Sequence, residues 1–382
     1  MSRYLCGKTL GELQEIVQGR GLERFRAEQL ENWYYVRGAK KLDDMHNVGK
    51  RTKSMLTLPG EAGEVGEGDT QAPWLEGRAG HIKHSSVDED GTAKWLVEFG
   101  DKNAVETVYI PEKQRGTVCI SSQVGCTLAC SFCQTGTLPV KRNLASEEIV
   151  AQVLLAKDAL NDWSGRTDDR IVSNVVYMGQ GEPLYNYRSV AKSLEVLSSP
   201  SGLAISRHRI IVSTSGVVPG ILRLAEEFPQ VTLAVSLHAP NDELRSRVMD
   251  INRRWGMSEL LAALKQHQSN PKSTRLTFEY VLLAGFNDQE HHALELARLL
   301  RPAFPNCNVN LIPFNPWPED SPFQTPAISV AVKFQDILHS KNIAAPIRRS
   351  RGDKIQAACG QLSNKFLKSL LPTPKPRLDV VS

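Results

Sequence analysis

The stretch Thr117–Cys133, TVCISSQVGCTLACSFC, opens as a strand and closes as a cysteine-dense loop. The loop holds Cys126, Cys130 and Cys133, separated by three and then two residues. Three chemistries compete for such a loop. Disulfides are disfavoured, because seven cysteines is an odd number in a 382-residue chain without secretory marks. Structural zinc takes four ligands, usually in pairs. No second Cys or His pair at the usual spacing lies nearby, though distant His residues stay open as ligands. An iron–sulfur cubane has four irons, so three thiolates would leave one iron open to a small molecule.

Working outward, TVCIS is the first of six strand-like runs after residue 113. The others are IVSNVVYM, RIIVST, VTLAVSL, LTFEYVLL and CNVNLIP, most of them rich in Val and Ile. Between them lie helical segments such as ASEEIVAQVLLAKDAL, ELLAALKQH and ALELARLLRP. In the first of these Ser146 reads as the N-cap, with Glu147 and Glu148 suiting the helix dipole. Alternating strands and helices predict a parallel sheet with right-handed crossovers. Six such units predict an incomplete α/β barrel, with a flat doubly wound sheet as the runner-up. The conspicuous polar motifs follow the strands: the three cysteines, MGQGEP (Met178–Pro183), STSG (Ser213–Gly216), SLH (Ser236–His238) and PFNPW (Pro313–Trp317). In parallel α/β folds the active site collects at the carboxyl ends of the strands.

The chain before residue 113 reads differently. TLGELQEIVQG puts Leu10, Leu13 and Val17 on one helical stripe, and RFRAEQLENWYYV does the same with Phe25, Leu30 and Trp33. A third apolar-basic segment ends near Pro59. AKWLVEFGDKNAVETVYIP then reads as a hairpin turning at GDKN. The expected organisation is a helical RNA-binding domain over 1–58, a linker and β extension over 59–112, the barrel over 113–365, and a mobile tail over 366–382. Hydrophobic residues make up 41%, enough for a sizeable core. The net charge of +4 permits an RNA partner without demanding one. No run of eighteen apolar residues exists, so no membrane span is expected. The first residues lack the plan of a signal peptide, and the expected compartment is the reducing cytoplasm.

The cysteine spacing, with Phe132 before the last cysteine, resembles the radical S-adenosylmethionine (SAM) superfamily. CISSQVGCTLACSFCQTG, GEPLYN, STSGVVP, SLHAP, NLIPFNPW and RGDKIQAACGQL together resemble one family within it. That family is the bacterial dual-specificity radical SAM RNA methyltransferases, which methylate C2 of adenosine in 23S rRNA and in certain tRNAs. The resemblance covers most of the chain, including the N-terminal helices and VETVYIPE. One departure is Gln180, where the family usually has Met. The resemblance implies that Cys126, Cys130 and Cys133 hold a [4Fe–4S] cluster. SAM would chelate the open iron, with Gly181 and Glu182 at its amino end. Ser213, Ser236, Leu237, His238 and Asn315 would line the rest of its pocket. Cys359 would be the methylated cysteine, Cys119 its partner in a turnover disulfide, and Glu106 a candidate proton acceptor. The implied partners are 23S rRNA, tRNA, a flavodoxin-type electron donor and a thiol reductant, with the protein a monomer.

Two extra cysteines suit this chemistry. C2 of adenine is an electron-poor carbon that cannot attack the methyl of SAM, whereas a thiolate can. One SAM would methylate Cys359, and a second, cleaved to a 5′-deoxyadenosyl radical, would take hydrogen from the S-methyl group. The carbon radical would add to C2, and Cys119 would release the adduct as a disulfide that an external thiol reduces. Two alternatives share much of this pattern: methylation at C8 of the same rRNA adenosine, and a non-catalytic iron–sulfur RNA-binding protein.

Each residue also has an ordinary reading. Cys119 reads as a small buried hydrophobe, although alternation puts it on the opposite face from Val118 and Ile120. Glu106 reads equally as a solvent-facing strand residue, His238 as a structural histidine, Ser213 and Ser236 as helix caps, and Gly181 with Pro183 as a turn. Cys6 and Cys307 have no motif around them. Basic clusters at Lys50, Arg51 and Lys53, at Lys141 and Arg142, at Arg207 and Arg209, at Arg253 and Arg254, and at Arg348, Arg349 and Arg351 would form a phosphate-contacting rim. Trp33, Tyr34 and Tyr35 fit a core better than a stacking platform.

Overall fold

The computed structural model describes residues 4–57, 76–113, 115–163, 170–317 and 321–363. The predicted tail over 366–382 and most of the linker after residue 58 lie outside them. A nine-stranded sheet dominates. Six of its strands are parallel and neighbour one another in chain order: β4 (Arg115–Cys119), β7 (Val172–Tyr177), β8 (Ile210–Thr214), β9 (Thr232–Ser236), β10 (Thr277–Leu282) and β11 (Asn308–Pro313). A doubly wound sheet reverses its strand order partway. This one never does, which is the winding of an open barrel.

Alternation along these strands makes the site. Val118, Val175, Val212, Val235, Phe278 and Val309 are fully buried in the main core, where each such side chain contributes roughly 1.5–3 kcal/mol. Their successors Cys119, Val176, Ser213, Ser236, Glu279 and Asn310 face the other way, toward the barrel interior. Cys119 and Val176 there join a separate small cluster with Val108, Ala357 and Leu362. The expectation that Cys119 escapes the packing of Val118 and Ile120 therefore holds.

The connecting helices are α4 (Ser146–Ala159), α5 (Tyr187–Ser198), α6 (Val218–Glu227), α7 (Asp242–Val248), α8 (Met257–Ser269), α9 (Glu290–Leu300) and α10 (Ile328–Ser340). None of the helices among the described residues is long and apolar enough to cross a membrane. The cap of α4 differs from expectation. Ala145 is the N-cap, and the Glu148 carboxylate accepts its N–H at 2.8 Å, leaving Ser146 as the first helical residue. Glu147 faces no solvent: it is buried against Lys8.

The predicted hairpin forms, and an unpredicted strand before it makes a three-stranded antiparallel extension of the same sheet. The extension comprises β1 (His81–Val87), β2 (Ala93–Glu98) and β3 (Ala104–Glu112), with β3 pairing β4 so that Val108 lies opposite Cys119. A two-residue ribbon, β5 (Gln123–Val124) with β6 (Arg142–Asn143), spans the cysteine loop.

Three N-terminal helices, α1 (Leu10–Gly19), α2 (Phe25–Glu31) and α3 (Lys50–Thr57), pack beside α4 and α5. A π-turn over Asn32–Val36 follows α2. Its wider pitch shifts the helical phase, and adjacent Tyr34 and Tyr35 are both buried; Phe25 is 47% exposed, against its placement on the apolar stripe, because five residues of α-helix put it about 140° round from Leu30. The Tyr35 hydroxyl donates to the Lys8 carbonyl at 2.9 Å, and the Glu31 carboxylate accepts from Ser199 Oγ at 2.6 Å. The first contact ties the N-terminal segment together, and the second fixes it to the C-terminal end of α5.

Candidate active site

The cysteine loop is shaped by its own backbone. The Cys133 N–H donates to the Cys130 carbonyl at 3.1 Å, the Gly136 N–H to the Cys133 carbonyl at 2.9 Å, and the Ser131 N–H to the Val248 carbonyl at 3.1 Å. All three thiols line one cleft at the carboxyl ends of the strands. Gly181, Glu182, Ser213, Ser236, His238 and Asn315 line the same cleft. Leu237 does not. It is fully buried, its N–H donating to the Glu279 carbonyl at 3.0 Å.

Burial pushes the Cys126 thiol up to about 12 and also raises Cys130 and Cys133, with the neighbouring thiols adding to the effect for the first two. Three crowded, desolvated thiols are suited to a cationic group that takes them as thiolates. No set of three or more His, Cys, Asp or Glu side chains among the described residues is arranged to hold a single metal ion. A cubane takes one thiolate per iron, so it needs no convergence of three sulfurs on one point. The donor set fits a cluster better than zinc.

Two unforeseen residues join the strand-end loops. Gln123 Oε1 accepts the Glu182 N–H at 3.0 Å and the Thr127 N–H at 3.2 Å, and its Nε2 donates to Asn143 Oδ1 at 2.8 Å. It thus ties the cysteine loop to the MGQGEP loop. Gly181 is required beside it: φ is +95°, and a Cβ there would lie 2.5 Å from Gln123 Cβ. Arg245 is fully buried, donating to the carbonyls of Ser215 at 2.6 Å, Ser236 at 3.0 Å and Leu237 at 3.1 Å. It braces the ends of β8 and β9. Nothing in DELRSRV marks it for that task.

Glu182 bridges two loops, its carboxylate accepting the N–H of Leu184 at 3.0 Å and of Ser215 at 2.7 Å. His238 has φ of +58° and accepts the Val281 N–H on Nδ1 at 3.0 Å. Burial, reinforced by Arg245, pushes its pKa down to about 3, so the imidazole is neutral and Nε2 carries its proton. Ser213 and Ser236 cap no helix, the N-caps of α6 and α7 being Val217 and Asn241. Gln180 is fully buried, and its Oε1 accepts the Glu106 N–H at 3.3 Å.

A second cavity adjoins the first, and Cys133, Asn315, Arg348 and Cys359 line both. Cys119 lines the second only. Burial, then the charge of Cys359, raises the Cys119 thiol to about 12. Cys359 itself is exposed on a loop, and Asn315 Nδ2 donates to its carbonyl at 3.2 Å. All seven cysteines are free thiols, so the Cys119–Cys359 disulfide is not formed in this structure. Cys6 and Cys307 are buried and line neither cavity.

Arg348 is drawn inward. Its Nη1 stands 3.7 Å from Glu279 Oε2, and it lines both cavities beside Cys359. Glu279 is buried on β10, takes Asn310 Nδ2 at 2.9 Å, and is pushed up by burial. Of the basic clusters, Arg349 and Arg351 stand with Arg348 on the second cavity, whereas Arg142 is engaged by Asp101 at 2.6 Å and Glu148 at 2.7 Å. Glu106 is buried, not solvent-facing, and lines neither cavity.

An open parallel barrel with three thiols at the strand ends defines the radical SAM class, and residues 120–297 match the Radical SAM superfamily. Residues 4–59 match the Ribosomal RNA large subunit methyltransferase N-terminal domain. The chain is 44% identical over 375 residues to the Dual-specificity RNA methyltransferase RlmN of Rhodospirillum rubrum, covering 98% of this chain and 83% of that one. It is 42% identical to the RlmN protein of Dinoroseobacter shibae, over 95% of this chain and 89% of that one. A crystal structure of a radical SAM methyltransferase from Sphaerobacter thermophilus superposes with a TM-score of 0.83 at 41% identity, covering 94% and 98% of the two chains. The chain belongs to the dual-specificity RNA methyltransferase family.

Proposed function

We propose that the protein methylates C2 of adenosine in 23S rRNA and in certain tRNAs, with Cys359 as methyl carrier and Cys119 as resolving thiol. The observation that carries this reading is the position of Cys359, on the wall of both the three-thiol cleft and the cavity that holds Cys119. A binding protein has no use for that pair. Cys126, Cys130 and Cys133 would hold a [4Fe–4S] cluster, with SAM between it and the ends of β7 to β11. Bound there, the two supply a methyl group and one-electron hydrogen-abstraction chemistry.

The chain's own residues do the rest. Gly181 lets the backbone approach the amino end of SAM, and Glu182 holds that loop against Ser215. Ser213, Ser236 and the Nε2–H of neutral His238 offer the pocket its polar contacts, while Asn315 steadies the Cys359 carbonyl. Arg348 lines both cavities together with Cys359, so a guanidinium faces the space that the carrier thiol opens on. Cys119, kept protonated by burial, stays unreactive until the adduct stands before it. The apolar walls of the second cavity, Val108, Ile110, Val176 and Met178, suit a base taken out of its stack. Arg349 and Arg351 at its mouth suit the flanking phosphates.

Turnover leaves a disulfide, so a thiol reductant serves each cycle, and a flavodoxin-type protein would supply the electrons. Nucleoside mass spectrometry of RNA treated with the reconstituted enzyme tests the reading. It should show 2-methyladenosine with wild type and none with Cys359→Ala. 8-Methyladenosine would overturn the regiochemistry, and unmodified RNA would overturn the activity.

A further inference from the structure

The loop that carries Cys359 has no secondary structure of its own, so something else must hold the sulfur in place. Lys94 on β2 and Glu106 on β3 stand on adjacent strands, with Lys94 Nζ 3.1 Å from Glu106 Oε1. The pair is shielded, the two side chains being 16% and 8% exposed. Each partner also grips the Cys359 loop. Lys94 Nζ donates to the Gln356 carbonyl at 3.1 Å, three residues before Cys359. Glu106 Oε2 accepts the Ser363 N–H at 2.8 Å, four residues after it. The Glu106 backbone is itself fixed, its carbonyl accepting from Ser121 Oγ at 2.8 Å. Both carboxylate oxygens are therefore engaged, and neither faces a cavity wall.

We propose that Lys94 and Glu106 form a two-ended clamp that seats the Cys359 loop over the cavities, and that Glu106 is a positioning residue. The role rests on Cys359 as methyl carrier, but the clamp itself is a statement about the loop. The span between the grips is shaped to receive them. Gln356 adopts φ of +51°, the Gln134 N–H donates to the Gly360 carbonyl at 2.7 Å, and Thr135 Oγ1 donates to the Leu362 carbonyl at 2.6 Å. The loop is thus pinned to the barrel on one side and to the antiparallel extension on the other. Removing either clamp partner frees one grip and leaves the other partner buried without its counter-charge.

The test is hydrogen exchange of residues 356–363 in anaerobically prepared holoenzyme, with alkylation of Cys359 by iodoacetamide as a second readout. Loss of a charge-assisted hydrogen bond should raise exchange in this span roughly tenfold in both Lys94→Met and Glu106→Gln, with iron content unchanged. The double variant frees both grips and should exchange at least as fast as either single one, though it leaves no unpaired buried charge behind. Lys94→Arg should restore much of the protection. The proposal is overturned if Lys94→Met leaves exchange, alkylation and methyl transfer as in wild type while Glu106→Gln abolishes turnover with the loop undisturbed. That pattern would make the carboxylate a proton acceptor. If Cys359 exchange and alkylation respond as expected but mass mapping finds the methyl group elsewhere, the clamp stands and the methyl-carrier assignment falls.

Discussion

Cys119 and Cys359 share one cavity and are supported in opposite ways. Cys119 ends a central strand, opposite Val108 on one side and Val176 on the other, so hydrogen bonds of the sheet fix its sulfur. Cys359 rides on a loop held by residues more than two hundred positions away in the chain: Asp90, Lys94 and Glu106 on one side and Thr135 on the other. The difference matches the proposed duties. A resolving thiol needs a fixed place and little reactivity, whereas a methyl carrier must meet SAM and then the RNA base. The strand-borne thiol draws its position from local pattern and the loop-borne one from tertiary contact.

The largest effect is expected from Cys126→Ala, Cys130→Ala or Cys133→Ala, each of which should lose the iron and all methyl transfer, read by iron analysis and nucleoside mass spectrometry. Stoichiometric zinc in wild type, without iron-linked absorption, would remove the basis for both cysteines' roles. Next come two glycines, one on each side. Gly181→Ala forces a Cβ into Gln123 on the rigid side and should destabilise the protein by about 2–3 kcal/mol in denaturant unfolding. Gly352→Ala, with φ of +65° and a Cβ 2.7 Å from Ala357 Cβ, should displace the Cys359 loop instead. Methylation of Cys359 should then fall at least about tenfold while SAM still binds. Equal stability losses in the two variants would erase the distinction between the regions.

Smaller effects sharpen the picture. Arg349→Glu should weaken RNA binding and lower the slope of log affinity against log salt by about 1, leaving SAM binding intact. Arg348 is unsuited to that test because it is occupied inside the cavity. The smallest effect is pH-dependent. His238 has its folded pKa pushed down to about 3, while the unfolded chain takes the proton near 6.5. Its contribution to stability is complete above about 6.5 and is lost progressively as the pH falls toward about 3. Urea unfolding between pH 7 and pH 5 should show a shallower loss in His238→Asn, a residue that tolerates the positive φ.

The parallel half of the sheet was legible because its strands carry Val and Ile in runs and its polar motifs follow them. The extension was only partly legible. β1, HIKHSSV, is an exposed edge strand without apolar alternation, so period two had nothing to act on. Ser146 is a good cap by type, but the Glu148 side chain satisfied Ala145 first. Arg348 reads as surface charge in RRSR, and only folding brings it to Glu279. Glu279 did carry a signal, as the lone charge in the apolar run LTFEYVLL. Gln123 and Arg245 carried none, because their value lies in which carbonyls and amides they reach. The Lys94 grip on Gln356 spans 262 positions, a separation no local pattern records.

The two thiols divide the labour of carrying and resolving, and a trapped adduct would display that division. Cys119→Ala holoenzyme is incubated with SAM, reductant and labelled RNA, then run on a denaturing gel and mapped by peptide mass spectrometry. The predicted result is a covalent protein–RNA species joined at Cys359, accumulating in Cys119→Ala and absent from Cys359→Ala. An adduct at any other residue, or full turnover by Cys119→Ala, would contradict it.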